Sequence, residues 1–317
     1  MTPRLSTALN ANQLRSHPTL IEDLFDRGKF DTFSTELDLN LQCTHERSRL
    51  GQGYLKSVKQ LVEWGYDRSL SFRGAALMPF RRDHLPYWLG GTGGKHWGRP
   101  KALTTIEKRE KLRFCIQSPI EEFRHRVTDW AIAHEAFDCD GYVRSTPWGY
   151  GEQLLARAYG YAKEVNPDVR LFYDDYLVPS RADYDGLKKW RSIFGAIEQI
   201  NREGRKIDGI GIQVHQPATT PLLPLLLDLS WIITQADRLD LVVQFSEVQI
   251  YLLEEVGWQK LRQQQLYKQL WQVARSRDVE LFSVWGLCDR WEYLDWTRGG
   301  LGAGMFDLRG DRRFGLS

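Results

Sequence analysis

Two glutamates stand where apolar, strand-like runs of the sequence end. Glu135 lies in WAIAHEAFD at 130–138, and Glu247 lies in VVQFSEVQI at 242–250. A carboxylate at the tip of a buried strand is costly unless it is paired or takes part in chemistry. One such glutamate favours a salt bridge at a strand end. Two at the same end of a fold favour glycoside hydrolysis, which needs one carboxyl as acid and another as nucleophile or base.

Polar partners for one of these carboxylates occur in GIGIQVH. Gln213 and His215 are two residues apart, so a strand would place both on one face. The next strand-like run carries Glu247, and we therefore expect His215 to hydrogen-bond to Glu247. A histidine bonded to the backbone at the start of a loop is an equally good interpretation of this spacing alone.

The elements that must position these side chains alternate along the whole chain. Short β-branched runs are followed by amphipathic runs at helical spacing, which is typical of parallel strands with crossover helices. The predicted strands cover 4–10, 31–36, 69–77, 127–134, 169–174, 208–214, 240–246 and 280–286, and the predicted helices include 54–65, 151–165, 187–204 and 258–276. Eight strands predict an α/β fold, a (β/α)8 TIM barrel, whose active site lies where the strands end. No repeat or linker divides the chain, so we expect a single catalytic domain over 1–317.

Two stretches depart from a plain barrel. Residues 78–103 are rich in Pro and Gly and predict a long rim loop, whose GGTGGK does not fit the spacing of a phosphate-binding loop. After Gly286 the sequence shows no amphipathic helix. We therefore expect the eighth helix to be absent or truncated, with the N-terminal segment, the C-terminal loop or another chain covering the last strand.

Composition argues against several classes of function. A formal net charge of +2 without a basic stripe predicts no nucleic-acid partner, and no apolar run is long enough for a membrane span. The cysteines, Cys43, Cys115, Cys139 and Cys288, are far apart and are expected to be free thiols, and the histidines lack metal-ligand spacing. We expect no metal and no cofactor.

The start lacks the apolar core of a signal peptide, which predicts a cytoplasmic protein as written, or a secreted one if Met1 replaced a leader.

Five motifs in order resemble the family-ten glycoside hydrolases, the retaining endo-β-1,4-xylanases of a (β/α)8 clan. The motifs are WAIAHEAFD, LFYDDY, DGIGIQVH, QFSEVQI and VWGLCDRW. The resemblance implies Glu135 as acid/base, Glu247 as nucleophile, His215 as the partner of the nucleophile and Trp285 as a platform under the sugar. It also implies a polysaccharide or oligosaccharide substrate, whose further contacts would be His134, Gln213, Asn40, Asp174 and Tyr176.

The sequence departs from the family pattern around the sugar. His134 stands where the family has asparagine, Asn40 where it has lysine and Ala75 where it has histidine. Further departures occur at Leu37, Pro79, Phe80, Asp174 and Tyr293. The kept glutamates predict the reaction type, while the changed positions predict a substrate other than plain xylan. The alternative is a carbohydrate-binding barrel that has lost turnover.

Overall fold

The computed structural model describes residues 2–35, 39, 55–80, 103–146, 148–149, 151–204, 206–291 and 302–316. Two compact units make up the chain. The first comprises 1–34, 176–187 and 210–317, and the second comprises 35–175 and 188–209. The strands are β1 (Arg4–Leu9), β2 (Thr32–Thr35), β3 (Ser71–Gly74), β4 (Met78–Pro79), β5 (Asp129–His134), β6 (Arg170–Tyr176), β7 (Gly209–Pro217), β8 (Val242–Tyr251) and β9 (Leu281–Val284). The helices are α1 (Ala11–Ser16), α2 (Pro18–Gly28), α3 (Lys56–Tyr66), α4 (Thr105–Glu122), α5 (Glu152–Val165), α6 (Leu187–Arg202), α7 (Leu222–Arg238) and α8 (Gly257–Ser276).

The first unit contains the neighbouring strands β2, β1, β9, β8 and β7, in that order. β9 pairs in parallel with β1 and with β8, so that Leu281 lies opposite Arg4 on one side and Gln244 on the other. The register between β8 and β9 shifts between Phe245 and Val248. Such a shift marks a bulge, which redirects side chains locally. Glu247 lies within this bulge.

The second unit contains β3, β4, β5 and β6, in which both short strands pair in parallel with β5. β3 pairs with the start of β5, where Arg73 lies opposite Asp129, and β4 pairs with its end. Of the strand predicted at 69–77 only 71–74 forms a strand, and after an interruption β4 follows at 78–79 along the same neighbour. Gly74 precedes the interruption, and a Cβ at that position would lie 2.1 Å from the ring of Trp130. Only glycine allows β3 to approach β5 so closely.

The C-terminal segment packs against α8. Phe314 stacks on Tyr267 with ring centroids 3.7 Å apart, and Gln263 donates to the carbonyl of Gly302 at 2.6 Å. In the described part of the chain after Val284, the only helical element is a 3-10 turn at Asp289–Trp291. Residues 285–291 and 302–316 contain no full helix, which agrees with the expectation of an absent or truncated eighth helix. Residues 292–301 lie outside the described residues.

Three further expectations concern the surface and the thiols. Most of the predicted rim loop at 78–103 lies outside the described residues. Among the helices that the structure describes, none is both long and apolar enough to cross a membrane. Among the described residues, Cys115, Cys139 and Cys288 take part in no disulfide, and burial raises the pKa of the Cys115 thiol to about 12. Cys43 lies outside the described residues.

Candidate active site

Glu247 lies inside β8 and is held through both carboxylate oxygens. The predicted strand ended at 246, but β8 continues to Tyr251. Gln213 Nε2 donates to Glu247 Oε1 at 2.9 Å, and His215 Nε2 lies 2.7 Å from Oε2. The hydrogen bond expected from the strand spacing is therefore present. The side chain of Glu247 retains 13% exposure, so the anchored carboxylate is still accessible.

His215 is fixed from both of its ring nitrogens. Its Nδ1 lies 3.0 Å from Oε1 of Gln249, and its Nε2 faces Glu247. Gln249 is two residues after Glu247 on β8, and its side chain is buried. Sequence reasoning missed Gln249, although the same two-residue spacing that paired Gln213 with His215 places it on the face of Glu247.

Two predicted aromatic contacts also lie in the first unit. Trp285 follows β9, and its backbone N–H donates to the carbonyl of Val248 at 2.8 Å. Its side chain is partly exposed, as is that of Tyr176, the last residue of β6. Both residues occur at the carboxyl ends of parallel strands, where barrel active sites are built.

Glu135 directly follows β5 in the second unit. Its φ of 54° is in the left-handed region, and its backbone N–H donates to the carbonyl of Asp174 at 2.9 Å. His134 Nε2 lies 3.7 Å from Glu135 Oε1, and the two side chains are 14% and 11% exposed. The acid/base candidate is thus shielded from bulk water but not sealed from it.

Asp174, one of the predicted sugar contacts, lies in a buried ion pair with Arg73. Arg73 Nη2 donates to Asp174 Oδ1 at 2.7 Å, and the two side chains are 4% and 2% exposed. The guanidinium also lies over the ring of Phe172, 5.4 Å from the centroid. A carboxylate so enclosed has almost no surface left for a sugar, so we interpret Asp174 as support for β3 and β6.

Arg73→Met should destabilise the protein strongly, because it leaves the Asp174 carboxylate buried without its ion-pair partner. We expect the free energy of unfolding to fall by about 3–5 kcal/mol. Urea denaturation measures this, with Arg113→Met as the control. Arg113 pairs with Glu164 where both side chains are about half exposed, and its loss should cost no more than about 1 kcal/mol. Equal effects of the two substitutions would contradict the interpretation of Asp174.

Asp175 and Lys189 form a second buried pair, which sequence reasoning missed. Lys189 Nζ donates to Asp175 Oδ1 at 2.7 Å, and the side chains are 2% and 0% exposed. Burial raises the pKa of Asp175, Lys189 opposes that shift, and the charge of Glu135 adds to it. Tyr173 donates its hydroxyl to Asp175 Oδ2 at 2.5 Å. Tyr173 and Asp175 are two residues apart on β6, but no spacing in the sequence links Lys189 to them or links any of the three to Glu135.

Of four further positions that depart from the family pattern, the structure describes only Ala75. Asn40, Leu37 and Tyr293 lie outside the described residues. Ala75 lies between β3 and β4 and is partly exposed. Within the described ranges no group of three His, Cys, Asp or Glu side chains could hold a metal ion.

The family follows from the comparison of the whole chain with known proteins. The family model of glycosyl hydrolase family 10 matches residues 4–307. The chain belongs to glycosyl hydrolase family 10. This family 10 chain is 24% identical to endo-1,4-beta-xylanase B of Thermotoga neapolitana over 78% of its length and 67% of that protein. It is 28% identical to a beta-1,4-xylanase of Dictyoglomus thermophilum over 67% of its length, but spans only 61% of that relative.

Solved family 10 structures establish the fold. Xylanase 10B from Thermotoga petrophila RKU-1, in complex with xylobiose, superposes with a TM-score of 0.80 at 20% identity, over 98% of this chain and 90% of that one. A psychrophilic family 10 endo-beta-1,4-xylanase gives 0.80 at 21% identity, over 98% and 94%. The predicted (β/α)8 TIM barrel is confirmed.

Proposed function

We propose that this protein is a retaining, endo-acting glycoside hydrolase that cleaves a β-linked polysaccharide of the xylan type. The observation that carries the proposal is the Glu247 carboxylate, held by Gln213 and His215 in a chain of a glycoside hydrolase family. Gln213 donates to one oxygen and His215 Nε2 lies at hydrogen-bond distance from the other, and hydrogen bonds to an ionised carboxylate are the stronger ones. An ionised, partly exposed carboxylate is what a nucleophile requires.

The proposed reaction has two displacements. In the first, Glu247 attacks the anomeric carbon and forms a glycosyl ester, while Glu135 donates a proton to the departing glycosidic oxygen. In the second, Glu135 removes a proton from water, the water attacks the anomeric carbon and the ester bond to Glu247 breaks. Two inversions give net retention of configuration. The mechanism requires carboxyl groups roughly 5–5.5 Å apart.

The substrate class is inferred from the relatives and from the altered positions. The relatives named above are xylanases, which supports a β-1,4-linked backbone. Asn40 and Ala75 replace a lysine and a histidine of the family pattern, which removes two hydrogen bonds to the sugar, each worth on the order of 1–3 kcal/mol when buried. About 1.4 kcal/mol is tenfold in rate, so plain xylan should be a poor substrate. The freed space favours a decorated or bulkier β-linked sugar, with His134 and the 78–103 loop as its proposed contacts.

We expect weak or no activity on unsubstituted xylan and higher activity on a decorated substrate. The assay compares linear xylan, decorated xylans, mixed β-glucans and microbial exopolysaccharides, with product analysis. The double variant Asn40→Lys/Ala75→His should raise activity on linear xylan, and each single variant serves as its control. Turnover of linear xylan by the unmutated protein at rates ordinary for xylanases would refute the substrate proposal.

The second candidate is a carbohydrate-binding barrel without turnover, and the substitutions at His134, Asn40 and Ala75 favour it. Aryl β-glycosides separate the two candidates, because their leaving groups need little help from the protein. Release of the aryl group by the unmutated protein, lost in Glu247→Gln, supports the hydrolase. Saturable binding of oligosaccharides with complete inertness toward every aryl β-glycoside would support the binding protein.

A further inference from the structure

The backbone at Glu135 needs support from its surroundings. A left-handed φ is unfavourable for a residue with a Cβ and persists only where neighbouring groups hold it. Two backbone N–H groups at this point are bonded to β6. The N–H of Glu135 donates to the carbonyl of Asp174 at 2.9 Å, and the N–H of Ala136 donates to Tyr173 Oη at 3.1 Å. The second of these bonds depends on a side chain.

The Tyr173 hydroxyl is oriented by a buried carboxylate. It donates to Asp175 Oδ2 at 2.5 Å, so its lone pairs remain available to the N–H of Ala136. Burial and the charge of Asp175 raise the pKa of Tyr173 well above its usual value, which keeps the phenol protonated. The ring is also fixed, since Phe137 packs edge-on against it with centroids 6.0 Å apart.

Lys189 is the third residue of this network and forms an ion pair with Asp175. Its ammonium bonds to Asp175 Oδ1 at 2.7 Å, and both residues are buried. A buried charged pair holds its geometry because either partner alone would be costly. Lys189 therefore fixes Asp175, Asp175 fixes the hydroxyl of Tyr173, and Tyr173 fixes the N–H that follows Glu135.

We propose that Tyr173, Asp175 and Lys189 are positioning residues for the acid/base carboxyl, which they aim by holding the left-handed backbone of Glu135. The inference rests on the proposed role of Glu135 as the proton donor. The three side chains are buried and hold the backbone that carries Glu135. Their loss should therefore impair proton donation more than any other part of the reaction.

Tyr173→Phe tests the proposal, because it keeps the ring and removes only the hydroxyl. The readout is kcat/KM for a series of aryl β-glycosides whose leaving groups range from poor to good. We expect a fall of about 10- to 100-fold for the poorest leaving group and of less than about threefold for dinitrophenolate, since misplacement matters only where a proton is needed. If the Tyr173 hydroxyl only stabilised the fold, its loss would lower kcat/KM by the same factor for every leaving group.

Tyr159→Phe is the matched control. The Tyr159 hydroxyl is also buried and donates to the carbonyl of Phe172 on the same strand, at 3.0 Å. We expect its loss to change all leaving groups by the same factor. A crystal structure of Tyr173→Phe should also show the Glu135 carboxyl displaced. An unmoved carboxyl, or an equal fall across the series, would overturn the proposal.

A second variant covers the case in which Tyr173→Phe does not fold. Asp175→Asn/Lys189→Met removes both charges of this pair together, and it should show the same leaving-group dependence. The unmutated protein and Glu135→Ala are measured on the same series. If Glu135→Ala shows no leaving-group dependence, the proposed function fails. If Glu135→Ala shows it and neither network variant does, only the positioning proposal fails.

Discussion

Glu247→Gln should reduce kcat on any β-glycoside by on the order of 10⁴- to 10⁶-fold, as expected when the nucleophile of a covalent mechanism is removed. The amide cannot form the glycosyl ester, and a good leaving group does not compensate, because the missing step is the attack itself. Steady-state hydrolysis of a polysaccharide and of an aryl β-glycoside measures the loss. The substitution is nearly isosteric, so substrate binding should persist.

Glu280→Gln is the control for this loss. Glu280 lies in the same unit, where it accepts a hydrogen bond from Gln244 and pairs with Arg4 at 3.5 Å. We expect the activity of Glu280→Gln to remain within about twofold of that of the unmutated protein, since ion pairs near the surface contribute little to stability. Substantial activity in Glu247→Gln would remove the basis for the proposed nucleophile.

Glu135→Ala should have an effect that depends on the leaving group. On a polysaccharide, kcat should fall by about 10²- to 10⁴-fold, the usual contribution of a general acid. On an aryl β-glycoside with a good leaving group, ester formation should continue and the ester should accumulate, because no base activates water. Added azide, a nucleophile that needs no deprotonation, should restore turnover and yield a glycosyl azide of retained configuration.

The control for this experiment is Glu121→Ala, in the same unit. The side chain of Glu121 is 58% exposed and pairs with Arg124, three residues later. It should show neither the loss nor the azide effect. Absence of azide rescue in Glu135→Ala, together with a Glu135–Glu247 separation beyond about 6.5 Å in a crystal structure, would show that the reaction is not a retaining one.

The sequence predicted the strands and one contact of the site for a physical reason. Apolar alternation and helical periodicity report burial directly, so β1, β5 and β6 lie close to their predicted positions. The contact between His215 and Glu247 was predictable because residues two apart on a strand share a face. The strand ends indicated Glu135 as well, since a carboxylate at the end of a buried strand is costly unless it is paired or takes part in chemistry.

Other parts of the site depend on contacts that no local pattern reveals. Arg73 and Asp174 are 101 residues apart in sequence, and their ion pair exists only because β3 and β6 both flank β5. The register shift around Glu247 in β8 cannot be recognised from the residue pattern of VVQFSEVQI. Tyr173 and Lys189 resembled ordinary core and helix residues, so their link to Glu135 required the structure.

Covalent labelling with a 2-deoxy-2-fluoro β-glycoside that carries a dinitrophenyl leaving group tests the central claim most directly. The fluorine slows both displacements, while the good leaving group still allows the first, so the ester should accumulate. We predict one added fluorosugar per protein, located by peptide mass spectrometry on Glu247 and absent in Glu247→Gln. A label on another residue, or no label in a preparation that hydrolyses β-glycosides, would contradict the proposed double displacement at Glu247.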